Sequence, residues 1–288
     1  MKKNLFGLLA VLLFVNILFA GPQHSIWEVI GKQNKVFLVG SFHLLTEDQY
    51  PLPSVFDSVY DQSAVVVFEA DLDSLSSPAV VSKFLQKGLL TGDRTLKNVL
   101  SDSVFTKLKK TFEELGQPTE LYLKMKPWLV ALTLNQLNMA RLGFKAELGI
   151  EFYYARKVKE EARPVQSLES VAFQMGLMEK LSEINADELI LQTIEDIERS
   201  EATIPELINA WQSGNTRALD SLLNASFKDF PEIGVFLLIK RNQAWFKQVE
   251  RFLRDDRNYL VVVGAGHLVG TEGLVELLRK KGYRLKQL

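Results

Sequence analysis

The amino-acid sequence predicts an α+β fold, a mixed α/β arrangement. A central mixed sheet is built from the N- and C-terminal parts, and the middle region is largely helical. Three observations predict it. Runs of β-branched residues recur at 36–39, 64–68 and 259–263, each short and bounded by polar residues or glycine, as buried strands are. From about 77 to 255, apolar residues instead recur at three- and four-residue spacing, the period of helices. The chain then closes on strand (259–263), helix (271–281) and strand (283–287).

Residues 1–20 read as a signal peptide. Lys2 and Lys3 give a positive start, the run to Ala20 is apolar apart from Asn16, and Ala20-Gly21-Pro22 offers a small-residue cleavage point. The run is shorter than the ~20 apolar residues that a membrane span needs. Cleavage, and a periplasmic or secreted protein with no stable membrane span, is therefore the expectation, with an uncleaved N-terminal anchor as the alternative. Residues 21–288 are expected to form a single domain with a helical insertion at about 77–255. There is no cysteine, so no disulfide staples the fold. A formal charge of −1 argues against nucleic acid as a partner. A peptide or small-molecule substrate is the expected partner, and no feature specifies an oligomer.

Residues 25–29 and 35–39 are expected to pair as a hairpin. A short helix over 54–62 turns Val55, Phe56 and Val59 inward. The strand over 64–69 ends in Glu69, a carboxylate costly to bury unless it is paired or bound to a cation. A right-handed crossover between the strands ending near His43 and Glu69 makes those residues near neighbours at one sheet edge. Pro78, Gly88, Gly92, Gly116 and Pro118 break the first helical stretch, whose Trp128, Leu132 and residues 134–139 are expected as core. A helix over 148–161 carries Tyr153 and Tyr154, and a short strand spans 163–167. Glu169 is expected in the first turn of the next helix, facing its positive end. Most charges of 179–200 read as a solvated face, and helices interrupted by Gly214 follow over 204–224. A long helix over 233–254 carries Arg241 and Asn242, where a pocket pair and a surface pair are equally compatible with position.

The chemistry concentrates in the histidines, of which there are three. Two follow a buried strand in the same way, as Gly40-Ser-Phe-His43 and Gly264-Ala-Gly-His267. Gly264 and Gly266 permit a tight turn that other residues resist, and such strand ends are where open α/β sheets hold ligands. One histidine at a strand end is commonly a hydrogen-bonded structural residue. Two in matched settings, brought together by parallel neighbouring strands, point to one shared site. The turn lacks the third glycine and the strand–helix–strand context of a nucleotide site.

These segments, with Ile26-Trp-Glu28, Val67-Phe-Glu69, Leu148-Gly-Ile-Glu151, Gln166-Ser-Leu-Glu169 with Gln174, and Lys240-Arg-Asn242, resemble the TraB/PrgY/GumN family, to which the Tiki proteases are related. The resemblance covers nearly all of the chain after the signal. Glu151 stands where the family usually has aspartate, and Ser167-Leu168 where it usually has glycine-leucine. The resemblance implies a site formed by His43, Glu69 and His267, with Arg241 and Asn242 nearby and Glu169 as a further candidate. In the Tiki relatives such a site is associated with metal-dependent peptide cleavage; in erythromycin-esterase-like relatives, with hydrolysis by histidine and glutamate.

The expectation is therefore an envelope or secreted hydrolase performing metal-assisted peptide cleavage. His43 and His267 supply neutral imidazoles to one divalent ion (Mn, Co or Zn), and Glu69 is a third ligand or the general base. Arg241 stabilises an oxyanion or holds a substrate carboxylate, and Asn242 orients a neighbour. The same residues also suit metal-free acid–base chemistry. The alternative from another class is a non-catalytic protein that sequesters a peptide or other ligand in the envelope.

Overall fold

A computed structural model describes residues 23–226 and 230–288. The expected signal segment lies outside the described residues. Six strands form the sheet: β1 (Ile26–Ile30), β2 (Lys35–Ser41), β3 (Val65–Phe68), β4 (Val165–Ser167), β5 (Tyr259–Gly264) and β6 (Arg284–Gln287), in the spatial order β4-β3-β5-β2-β1-β6. β5 runs parallel to β2 on one side and to β3 on the other, and β4 runs parallel to β3. β1 is antiparallel to both β2 and β6. The sheet is mixed and joins both ends of the chain, as the sequence predicts.

The sequence of β5 explains its central place. Leu260, Val261, Val262 and Val263 are fully buried, so both faces of this strand are covered, as parallel strands require. Alternate residues go to opposite faces. Leu260 and Val262 join Phe37, Val39 and Phe68 on one side, under Tyr154 and Trp211. Val261 and Val263 join Leu38 and Val67 on the other, under Trp245 and Leu278. Truncating Leu260 to alanine in such a core costs about 2–5 kcal/mol.

Two expectations change. β2 and β3 are not neighbours: the all-apolar β5 is inserted between them, so His43 and Glu69 flank the end of β5 instead of sitting on adjacent strands. The helix Ala186–Gln212 runs unbroken through Pro205. Ile194 and Ile197 before the proline, and Ile208 and Trp211 after it, are buried, and this packing outweighs the hydrogen bond the proline removes. This helix packs with Asp102–Glu114 and Pro127–Arg141 around a separate core containing Leu108, Val130 and Ile190. Among the described residues no helix is long and apolar enough to cross a membrane.

Candidate active site

The register of β2 and β5 sets the site. Val39 lies opposite Val262, Gly40 opposite Val263 and Ser41 opposite Gly264, so both Gly-x-x-His segments leave the sheet side by side. Gly264 is the meeting point. A Cβ built on it lies 3.5 Å from Glu69 Oε1, 3.6 Å from His267 Cδ2 and 3.7 Å from His43 Nε2. Three side chains from three strand ends thus converge beside the Cα of this glycine, at the distance a single methyl group would span. The Gly264 N–H also donates to Glu69 Oε1 at 2.8 Å.

His43 is held from behind. Its Nδ1 lies 2.7 Å from Glu151 Oε1, and the Ser41 hydroxyl donates to the same oxygen. Glu151 reaches it because helix Ile150–Glu161 begins against the chain at residue 43, where Ile150 N–H donates to the Phe42 carbonyl at 3.1 Å. Gly149 permits that approach, since a Cβ there meets the His43 carbonyl oxygen at 2.2 Å.

His267 is held differently. Its Nδ1 lies 2.7 Å from Asn242 Oδ1, and Asn242 Nδ2 donates to the Glu272 carbonyl at 2.8 Å, which fixes the amide's orientation. Nδ1 therefore carries the proton, and the Nε2 lone pair accepts from Arg241 Nη1 at 3.1 Å. Trp245 packs against the ring at 4.3 Å between centroids.

Arg241, from helix Lys240–Phe252, joins these parts. Its Nη2 donates to Glu69 Oε2 at 2.6 Å and to Glu169 Oε2 at 2.9 Å, and Nε donates to Glu169 Oε1 at 2.9 Å. Nη1 serves the Leu237 carbonyl at 3.1 Å as well as His267. A guanidinium has five N–H donors, and all five are engaged within the protein. No donor is left for an oxyanion or a substrate carboxylate, so the sequence-based role for Arg241 does not hold in this arrangement: it positions Glu69 and His267. Glu169 is not in a helix first turn either. Ser170 caps the helix Val171–Lys180, while Glu169 pairs with Arg241 and accepts from Trp245 Nε1 at 2.9 Å.

The protonation states follow from these contacts. The Glu151 carboxylate raises His43 from 6.5 to about 9, and burial opposes it only in part. The His43 side chain is 69% exposed, because it faces an open cavity, so water screens some of this pairing. Desolvation lowers His267 to about 3, and Arg241 and His43 add to the effect. Burial pushes the Glu69 carboxyl up, but His267, Arg241, His43 and the Gly264 N–H hold it below the ordinary carboxylate range. Arg241 is the dependable source of that effect, because His267 is itself held neutral. At neutral pH the site therefore holds an imidazolium (His43), a neutral imidazole (His267) and two carboxylates, Glu69 and Glu151.

The metal expectation can be tested on the same atoms. Arg241 takes up His267 Nε2 and Glu69 Oε2, Asn242 takes up His267 Nδ1 and Glu151 takes up His43 Nδ1, whereas a ligand must be a free imidazole nitrogen or carboxylate oxygen. Among the described residues no group of three or more His, Asp or Glu side chains has a metal-holding arrangement. So arranged, His43, Glu69 and His267 do not fit a shared divalent ion.

All six sequence candidates (His43, Glu69, Glu169, Arg241, Asn242 and His267) lie in this one network. Sequence reasoning gave no role to Glu151 or Trp245. Glu151 sits in a quoted motif, and its spacing from Gly149 was the available signal. Trp245 lies one helical turn after Arg241, and its ring receives the guanidinium at 4.5 Å.

The model of the TraB/PrgY/gumN family matches residues 25–287. The uncharacterised protein YbaP of Escherichia coli (strain K12) is 24% identical, over 89% of this chain and 94% of its own length. The metalloprotease TIKI1 of Danio rerio is a more distant relative, 21% identical over 87% of this chain and 60% of its own length. A metalloprotease TIKI homologue of Amphimedon queenslandica is 30% identical over 45% of this chain. No solved structure matches. On a family match spanning almost every described residue, the chain belongs to the TraB/PrgY/gumN family.

Proposed function

We propose that this protein is an exported hydrolase that cleaves peptide bonds beside Gly264. One observation carries the reading: His267 turns only its Cδ2 carbon toward Gly264, but Glu69 Oε1 and His43 Nε2 come together beside that glycine on the wall of one open cavity. With a substrate carbonyl there, Glu69 Oε1 takes a proton from the attacking water as the oxygen–carbon bond forms. His43 Nε2–H stabilises the developing oxyanion and gives its proton to the leaving nitrogen as the carbon–nitrogen bond breaks. Glu69 is a weak base at its lowered pKa, so the step relies on positioning, which Arg241 and the Gly264 N–H provide.

Distant similarity to proteins named metalloproteases supports peptides as the substrate class. A divalent ion (Mn, Co or Zn) as cofactor rests on that similarity alone. It would require Arg241 to withdraw from His267 and Glu69. Export rests on the Lys-rich start and apolar run of residues 1–20.

The alternative, a non-catalytic protein sequestering ligand in the envelope, is favoured by one feature, the complete internal use of the Arg241 donors. A peptide library incubated with wild type and Glu69→Gln, with and without added Mn²⁺, Co²⁺ or Zn²⁺, separates the two. Cleavage by wild type that Glu69→Gln loses supports hydrolysis; binding without cleavage under every condition supports sequestration.

A further inference from the structure

His43 and Glu69 stand on one wall of a larger cavity. It has a volume of about 460 Å³, within the roughly 300–1,000 Å³ of pockets that hold small ligands. His43, Glu69, Glu151, Gln174 and Arg241 supply that wall. Across from it the lining is apolar: Leu72, Leu75, Val81, Phe84, Met175 and Met178. Helix Pro78–Lys87 contains no fully buried residue, although three of its apolar residues turn toward the cavity. Val81 is 42% exposed there. Phe84 packs on Trp128 at 5.3 Å between ring centroids, but Val81 stands over open space, where a ligand can cover what the protein does not. Two methionines on the facing helix Val171–Lys180 give a lining that adapts to unlike apolar shapes.

Resting on the hydrolytic reading above, we infer that this cavity is the subsite for a large apolar side chain (Leu, Met or Phe) of a peptide substrate, next to the bond at Gly264. Its polar wall suits a neutral peptide backbone better than an acidic head group. An anion there meets the carboxylates of Glu69 and Glu151, while the Arg241 donors are already engaged and the cationic His43 is paired with Glu151. A fatty acid, whose apolar tail would also suit the lining, is disfavoured on this ground.

Binding tests the assignment independently of turnover. The full-length protein is titrated, by NMR shift perturbation, with N-acetyl-leucine methylamide, N-acetylglycine methylamide and N-octanoylglycine. The leucine compound is expected to bind at least tenfold more tightly than the glycine compound and more tightly than the octanoyl acid. Val81→Trp, which fills the cavity from a part-exposed position, is expected to weaken leucine binding at least tenfold with the thermal midpoint unchanged. Val81→Ser serves as a second variant should the tryptophan disturb folding, with a smaller loss in the same direction. Equal binding of the leucine and glycine compounds, tighter binding of the octanoyl acid, or no response to either variant overturns the subsite. Selective leucine binding with no peptide turned over leaves the subsite standing and removes the hydrolytic reading. Turnover with no preference for Leu, Met or Phe over Gly beside the cleaved bond does the reverse.

Discussion

Arg241 donates from Nη2 to Glu69 Oε2 at 2.6 Å, although the two residues stand 172 positions apart in the chain. The contact joins helix Lys240–Phe252 to the end of β3. It is also why Glu69 is ionised in a buried setting: the guanidinium offsets the desolvation that would otherwise raise its pKa. The same guanidinium receives the lone pair of His267, so a single side chain fixes the charge of one catalytic candidate and the orientation of another.

Glu69→Gln is therefore expected to act on activity and stability together. Activity should fall by at least about 10²-fold, the usual contribution of a positioned proton-transfer group. Stability should fall by about 1–3 kcal/mol, since the ion pair with Arg241 becomes a hydrogen bond from the guanidinium to a neutral amide. Peptide turnover and urea unfolding of wild type and variant measure both. Unchanged turnover would remove Glu69 from the chemistry.

Arg241→Met leaves Glu69 and Glu169 buried without their cation, and a cost of about 3–5 kcal/mol is expected. Arg241→Lys keeps the charge but not the planar fork that spans both carboxylates and His267, so it should fall between wild type and methionine. Urea midpoints give the ranking. A methionine variant as stable as wild type would mean that the buried pairs contribute nothing.

Much of this was legible in the sequence. The strands end in glycine and histidine, and the parallel pairing of β2 with β5 follows from two such runs at opposite ends of the chain. Arg241 and Asn242 were visible as a pair on a helix, but not as buried, because the face a helix buries depends on its partners. The insertion of β5 between β2 and β3 was not visible, since strand order is decided by packing that no local pattern records. Glu151 was missed as the partner of His43 because the contact depends on Gly149 letting two backbones approach, a non-local condition. The saturation of the Arg241 donors was missed for the same kind of reason: residue type gives the number of donors, and only the fold says where they go.

Asn242→Ala removes the acceptor that holds the His267 proton on Nδ1. The Arg241 donor to Nε2 still holds the tautomer, but the ring loses the contact that fixes its Nδ1 side. Activity is expected to fall, because the ring that packs beside Gly264 then keeps only its contact to Arg241. The ring-nitrogen NMR signals of His267 should report the lost Nδ1 partner; unchanged signals with unchanged turnover would mean that Asn242 does not orient the ring.

The two histidines should give stability opposite pH dependences. His43 is raised to about 9, so between about 6.5 and 9 the folded state holds a proton that the unfolded state has lost. Its contribution is fully present below 6.5 and disappears as pH rises through about 9. His267 is lowered to about 3, so below 6.5 the unfolded state takes a proton that the folded state refuses. Its contribution is present above 6.5 and is lost as pH falls toward 3. Thermal midpoints across pH should show His43→Gln flattening the alkaline limb and His267→Gln flattening part of the acid limb. Turnover should also decline above about pH 9, as His43 loses the proton it donates. Alkaline limbs identical in wild type and His43→Gln would contradict the Glu151 pairing.

The most direct measurement is turnover and thermal midpoint for Gly264→Ala. Gly264 has φ −49° and ψ 136°, angles open to alanine, and the added Cβ meets its neighbours at ordinary contact distances of 3.5–3.7 Å. Folding should therefore be nearly unchanged, within about 0.5–1 kcal/mol. The methyl group nevertheless fills the space beside the Cα where His43, Glu69 and His267 converge. If a reacting carbonyl must lie against the Cα of Gly264, between Glu69 Oε1 and His43 Nε2, peptide turnover falls at least about 10²-fold while the thermal midpoint holds. A stable Gly264→Ala protein with wild-type turnover would contradict a single active centre beside that glycine.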